Sequence, residues 1–184
     1  MDQALAGRSL VDLARAGDAA AFESLMRSRM DAVYRLSLVI LGDEADAADA
    51  AQETFVAMWR ELPRLLDLDR FDAWLQRVAV NSCRMSLRAR GRRRIREIPM
   101  AESGADEDRT VGIQAPARDD AETLRAAIRH LSLDQRAILA LHHLDGRPVV
   151  EVAEILDIPA GTAKSRLFKA RADLERALRE EERQ

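Results

Sequence analysis

The chain has 184 residues, 47% of them apolar and 33% charged, with a formal net charge of −3; that is enough material for one large core or two small ones. No apolar run approaches the ~18–20 residues of a membrane span, the opening MDQALAGRSL shows neither the basic nor the apolar part of a secretory leader, and the lone Cys83 rules out an internal disulfide and fits a reducing cytoplasm. Aromatics make up only 4% while Ala and Leu abound, so an all-α chain is expected.

In chain order, Ser9 can cap a short helix ended by Gly17, and Asp18 a longer one ended by Gly42. Asp43 or Asp46 then opens DAADAAQETFVAMWREL, stopped before Pro63. Its Ala48, Ala51, Phe55, Trp59 and Leu62 recur at helical spacing and are expected to face a core. Asp46, Asp49, Glu53 and Arg60 lie off that stripe, as a solvated face or as a surface for a basic partner. After the loop LLDLD comes RFDAWLQRVAVNSCRMSLRARGRR, with Phe71, Trp74, Leu75, Val78, Ala79 and Ser82 as its inner stripe. Arg70, Arg77, Asn81, Arg84 and Arg88 form a polar stripe beside it, running into RARGRRRIR, where six arginines fill residues 88–96. Asn is a mediocre helix former, and a mid-helix amide that both donates and accepts suits a base edge.

Charge is distributed unevenly. Residues 97–122 hold eight acids against Arg109 and Arg118, a net of −6, so the rest of the chain sums to +3. The same stretch contains Pro99, Gly104, Gly112 and Pro116 and no sustained periodicity. It is expected to link two helical blocks, 1–95 and 122–184, across residues 96–121.

In the second block Leu124, Ile128 and Leu131 line one helix, and Ser132 with Gln135 forms a capping box for SLDQRAILALHHL. Asp145-Gly146 makes a turn, Pro148 can open VVEVAEIL, and DIPAG leads into TAKSRLFKARADLERALREEE. Two helices joined by a tight turn suggest a helix-turn-helix. On the second of them, Ala163, Leu167, Ala170, Leu174 and Ala177 make a buried seam. Thr162, Lys164, Ser165, Phe168 and Lys169 fan across the opposite side. A ring such as Phe168 pointing away from its own seam packs on another helix, is an ordinary exposed ring, or meets a thymine methyl, with Lys164, Ser165 and Lys169 reaching base edges and phosphates. Pro159, Ala160 and Gly161 bring backbone N–H groups of the helix start within reach of a phosphate. Arg166 and Arg171 flank the face, where phosphate contact is expected.

Together these segments resemble the sigma-70 superfamily of bacterial transcription initiation factors, in its small extracytoplasmic-function group. DAADAAQETFVAMWREL is similar to the group's DAEDLVQETFLRAW, FDAWLQRVAVNSCRMSLRARGRR to FRAWLYRIARN…LRRRRR, and GTAKSRLFKAR to the region 4 core GTVKSRLxRAR. Met85, Val149-Val150 and Ala163 depart from the group's pattern. The resemblance implies that region 2 binds the β′ clamp of core RNA polymerase and captures the melted minus-10 element. It implies likewise that region 4 binds the minus-35 duplex and the β flap. By position, Asp49, Gln52 and Glu53 would belong to the polymerase face. Asp69, Arg70 and Phe71 would cradle a flipped-out base, with Arg77, Asn81, Arg84 and Arg88 alongside. Phe71 or a neighbour would offer a π-face, since base stacking tolerates any sequence. About 25 extended residues reach up to ~80 Å, so the linker spans the ~70 Å of two helical turns of duplex. An anti-sigma factor is the further partner implied; no cofactor and no membrane insertion are.

A regulator that binds DNA by itself would need residues 122–178 but neither the QETF helix nor the Asn81 stripe. A helical adaptor would leave the polar face of 162–169 without a purpose. An enzyme is the least supported class: His130, His142, His143 and Cys83 lack metal-ligand spacing, and no Gly-rich phosphate loop or nucleophile constellation occurs.

Overall fold

The computed structural model describes residues 10–97 and 120–183, and every regular element among them is helical. Helix α1 occupies residues 10–15 and ends at Gly17, whose φ of 97° only a residue without Cβ adopts easily; Ser9, its expected cap, lies outside the described residues. Asp18 caps α2 (Ala19–Leu41), its carboxylate accepting from the Ala21 N–H at 2.8 Å, and Gly42 closes that helix in the left-handed region. Of the two candidate caps for α3 (Glu44–Glu61), Asp43 serves, accepting from the Asp46 N–H at 2.9 Å. Two 3₁₀ turns, Leu62–Arg64 and Leu68–Arg70, then lead into α4 (Phe71–Glu97).

Helices α2, α3 and α4 pack against one another. Their core is built from Leu25, Val33, Leu36 and Ile40, from Ala47, Ala51, Phe55 and Met58, and from Leu75, Ala79, Val80 and Cys83, all buried. Each large aliphatic side chain so covered stabilises by roughly 1.5–3 kcal/mol relative to exposure. Two members of the expected α3 stripe are not in this core. Ala48 and Trp59 are exposed, because α3 meets α2 and α4 through a sector centred on Ala47, Ala51, Thr54, Phe55 and Met58.

The second block comprises α5 (Asp120–Arg129), α6 (Leu133–Leu139, continuing as one π turn, Ala140–Leu144), α7 (Val149–Leu156) and α8 (Ala160–Glu181). The Ser132–Gln135 capping box forms in both directions. Ala127 is buried on α5, whereas Leu124 is exposed. Pro148 is the cap residue of α7 rather than its first helical residue, and α8 begins at Ala160, with Pro159 as its cap. Gly161 therefore lies inside the helix. The left-handed residue of the α7–α8 turn is Asp157, at φ 56°.

The two blocks are not separate bodies. Helix α2 packs on α6 and α4 on α7, and one continuous cluster of buried residues runs through both blocks. Arg136 pins the seam: its guanidinium donates to the carbonyls of Ile40 at 3.0 Å, Leu131 at 2.9 Å and Arg129 at 2.6 Å. These are carbonyls at the ends of α2 and α5, which have no intrahelical partner. Burial, with Arg129 nearby, lowers the pKa of Arg136. Of the expected linker, Glu97 ends α4, Asp120 opens α5, and residues 98–119 lie outside the described residues.

Candidate nucleic-acid and partner interfaces

Helix α8 separates its two faces cleanly. Ala163, Leu167, Ala170 and Ala177 are buried, while Thr162, Lys164, Ser165 and Lys169 are exposed and Phe168 is 76% exposed. Phe168 therefore packs on no other helix, which leaves an ordinary exposed ring and a contact to a thymine methyl as its two readings. Helix α8 packs on α5, α6 and α7 and buries Leu167 and Ala170, so the exposed set is carried by a well-packed helix with its start, Pro159 to Gly161, at the edge. The two arginines expected at the flanks are both held. Arg166 pairs with Asp134 at 3.1 Å, and Arg171 donates to His143 Nε2 at 3.2 Å. Desolvation, then Arg171 and His142, lowers the His143 pKa, consistent with a neutral ring accepting that hydrogen bond. His142 Nδ1 bonds the Arg147 carbonyl at 2.8 Å and His130 pairs with Glu181 at 3.0 Å, so each histidine has a structural partner. Among the described residues no group of three acids, histidines or cysteines could hold a metal ion.

The α4 stripe is assembled as expected, but it faces the other block. Arg70 pairs with Glu154, Arg77 donates to the Glu154 carbonyl at 2.6 Å, and Arg84 reaches Asp134 at 3.1 Å. Arg84 also donates to Asn81 Oδ1 at 3.1 Å, which orients the amide. Asn81 and Arg88 are exposed. Beyond Gly91 the arginine run continues as helical backbone to Glu97; the side chains from Arg92 onward lie outside the described residues.

Phe71 is a correction. It is 3% exposed and its ring lies 5.9 Å from that of Trp74, inside the core. The same four-residue spacing that sets Phe71 above Leu75 and Ala79 directs it inward, so it offers no π-face to a base. The loop before α4 instead presents Asp69, Arg70 and Leu66, the last 95% exposed. Sequence reasoning passed over Leu66; the signal was an apolar residue at the tip of LLDLD, beyond the helical stripe.

Asp49, Gln52 and Glu53 are exposed on α3. Gln52 lines a groove of about 860 Å³ between α2 and α3, walled by Met26, Met30, Tyr34, Phe55 and Trp59. Trp59 is 51% exposed and stands edge-on to Phe22 with ring centroids 4.7 Å apart. The trough is mostly apolar, with Asp31, Gln52 and Arg60 among its lining, and suits the apolar face of an amphipathic element. The periodicity of α3 hid it, because a half-exposed tryptophan at core spacing looks like a core tryptophan.

Comparison with known proteins matches both blocks. The model for sigma-70 region 2 covers residues 25–93, and that for sigma-70 region 4 covers residues 121–174. The RNA polymerase sigma-H factor of Pseudomonas aeruginosa is 31% identical over 179 residues, 93% of each chain. The ECF RNA polymerase sigma-E factor of Haemophilus influenzae is 30% identical over 183 residues, 95% of this chain and 96% of that one. Among solved structures, CnrH in complex with the cytosolic domain of CnrY is similar with a TM-score of 0.66 and 27% identity, covering 94% of this chain and 97% of that one. The sigma factor RpoE of Bartonella quintana, in complex with the anti-sigma factor NepR, shares the fold at a TM-score of 0.68 and 24% identity, over 86% of this chain and 96% of that one.

Proposed function

The chain belongs to the sigma-70 family, in its extracytoplasmic-function group, and from that premise we propose how its surfaces divide the work of initiation. As a member, it binds core RNA polymerase and directs promoter-specific transcription initiation, region 2 capturing the minus-10 element and region 4 the minus-35 element; it is not an enzyme. Residues 1–95 act as region 2, 96–121 as the acidic tether and 122–184 as region 4. The observation that carries this division is the occurrence of both matched segments, in order, within one chain.

On α8, Lys164, Ser165, Phe168 and Lys169 read the minus-35 duplex, with Phe168 against a thymine methyl and the lysines on base edges or phosphates. Thr162, Pro159 and Gly161 set the start of α8 near the backbone, and Arg166 and Arg171 contact phosphates once released from Asp134 and His143. In region 2, Arg70, Arg77, Asn81, Arg84 and Arg88 hold the displaced minus-10 strand. Asp69 and Leu66 flank the captured base in place of the buried Phe71. Asp49, Gln52 and Glu53 face polymerase, together with the groove around Trp59. An anti-sigma factor competes for that groove; this rests on RpoE having been captured with the anti-sigma factor NepR and CnrH with the cytosolic domain of CnrY. No described helix is long and apolar enough to cross a membrane, and we place the protein in the cytoplasm, where polymerase works.

The test is run-off transcription with core polymerase on sheared genomic DNA of the source organism, mapping transcript 5′ ends. New start sites sharing two upstream elements are expected. Unchanged start sites together with tight duplex binding by the protein alone would favour the autonomous regulator.

A further inference from the structure

The loop proposed to flank the captured minus-10 base is short, and its tip, Leu66, is 95% exposed. A side chain that projects so far into solvent tells bases apart only if the backbone beneath it is held still. On each side of the tip the chain is fastened. Leu62 is buried, and the Leu65 N–H donates to its carbonyl at 3.0 Å, closing the first 3₁₀ turn. Leu65 and Leu68 are partly buried and pack against the core. The Asp67 carboxylate accepts from the Asp69 N–H at 3.1 Å, which opens the second turn.

The peptide that joins Leu65 to Leu66 is held from outside the loop. Arg15, at the end of α1 and fifty residues upstream, donates through Nη1 to the Leu65 carbonyl at 3.3 Å. Asp12, one turn back on α1, lies 3.8 Å from Nη2 of the same guanidinium. A peptide unit is planar, so fixing the Leu65 carbonyl also fixes the Leu66 N–H and the direction in which Leu66 leaves the core. Helix α1 does not need this bond to stay in place, because Val11 and Ala14 are buried in the core. The loop does not need it to stay on the core either, since Leu62, Leu65 and Leu68 hold it there. What the bond adds is aim. We propose that Arg15 is a positioning residue for minus-10 recognition: without touching DNA, it sets the peptide that aims Leu66 and thereby the discrimination at the captured base. This rests on the placement of Leu66 and Asp69 at that base.

A nitroxide spin label attached at Leu66→Cys reports on the tip alone, because the native Cys83 is buried. In the full chain, adding Arg15→Ala should narrow the spectrum as the tip gains motion. Arg15→Lys, which can still donate to the carbonyl, should restore part of the breadth. Identical spectra with Arg15 and with Arg15→Ala would overturn the proposal. Its consequence is read by run-off transcription with core polymerase from a mapped promoter whose minus-10 positions carry each of the four bases in turn. Leu66→Ala identifies the position that the tip reads. There Arg15→Ala should lower the ratio between best and worst base about fivefold, the low end of what one base contact contributes. Minus-35 discrimination should stay as in wild type, and the melting temperature should fall by no more than about 3 °C. Wild-type discrimination in Arg15→Ala overturns the proposal. So does an equal loss at every position of both elements, which marks a general structural role. If Leu66→Ala alters no position, the reading of the loop fails and the proposal with it, while the spectra still show separately whether Arg15 anchors the tip.

Discussion

Phe71 and Phe168 are the same residue put to opposite uses, and burial separates them. Truncating Phe71 to alanine leaves a cavity beside Trp74 and should cost about 3–5 kcal/mol, a large part of a domain's total stability. Truncating Phe168, 76% exposed, should leave stability within about 0.5 kcal/mol while weakening minus-35 discrimination by about 1–3 kcal/mol. Thermal melts and transcription from a mapped promoter, run on both variants, check the contrast; a destabilised Phe168→Ala chain would return that ring to a packing role. Cys83 allows a second test. Burial, the largest influence on it, pushes the thiol up to about 11. At pH 8 only about one thiol in a thousand is then thiolate, the form that reacts. Iodoacetamide at pH 8 should leave the native chain unlabelled for hours and modify it promptly in denaturant. Rapid labelling of the native chain would make Cys83 accessible and revive a redox role.

The helices themselves were legible in the sequence because each carries its own local grammar. Asp18 and Gly42 bracket α2, Ser132 and Gln135 cap α6, and on the seam of α8 Ala163, Leu167, Ala170 and Ala177 are buried and Leu174 half-buried. Periodicity does not tell which neighbour a face meets. On α3 the expected stripe was rotated by part of a turn, so Ala48 and Trp59 became the wall of a groove. Trp59 is 51% exposed and packs edge-on to Phe22, so Trp59→Ala should cost about 1 kcal/mol of stability. A desolvated aromatic anchor in a partner interface is worth about 2 kcal/mol or more, about thirtyfold in affinity. Competition for fluorescently labelled core polymerase should therefore show a loss of that size for Trp59→Ala at nearly unchanged melting temperature. Unaltered affinity would move the polymerase face away from the α2–α3 groove.

At the scale of the molecule, sequence spacing supplied no guide, since Arg70 and Glu154 lie 84 residues apart and no local pattern links them. Both blocks were readable, and the linker left their arrangement open; only the packed structure shows that α4 turns its arginines onto α6 and α7. That arrangement makes the two DNA faces unequal in the free protein. With the α8 face open and Arg70, Arg77 and Arg84 engaged by Glu154 and Asp134, weak binding of duplex by the polymerase-free chain should depend on Lys164 and Lys169 more than on those three arginines. Lys169→Ala should weaken it on all duplexes alike and reduce the slope of log K against log salt by about 0.9, the signature of one lost phosphate contact. Arg77→Ala should not weaken polymerase-free duplex binding, because the Arg77 guanidinium already serves the Glu154 carbonyl. With polymerase present, both substitutions should depress initiation. Fluorescence anisotropy across a salt series, set beside run-off yields for the same two variants, separates the cases. Equal losses of duplex binding for Arg77→Ala and Lys169→Ala without polymerase would mean that α4 is open in the free chain.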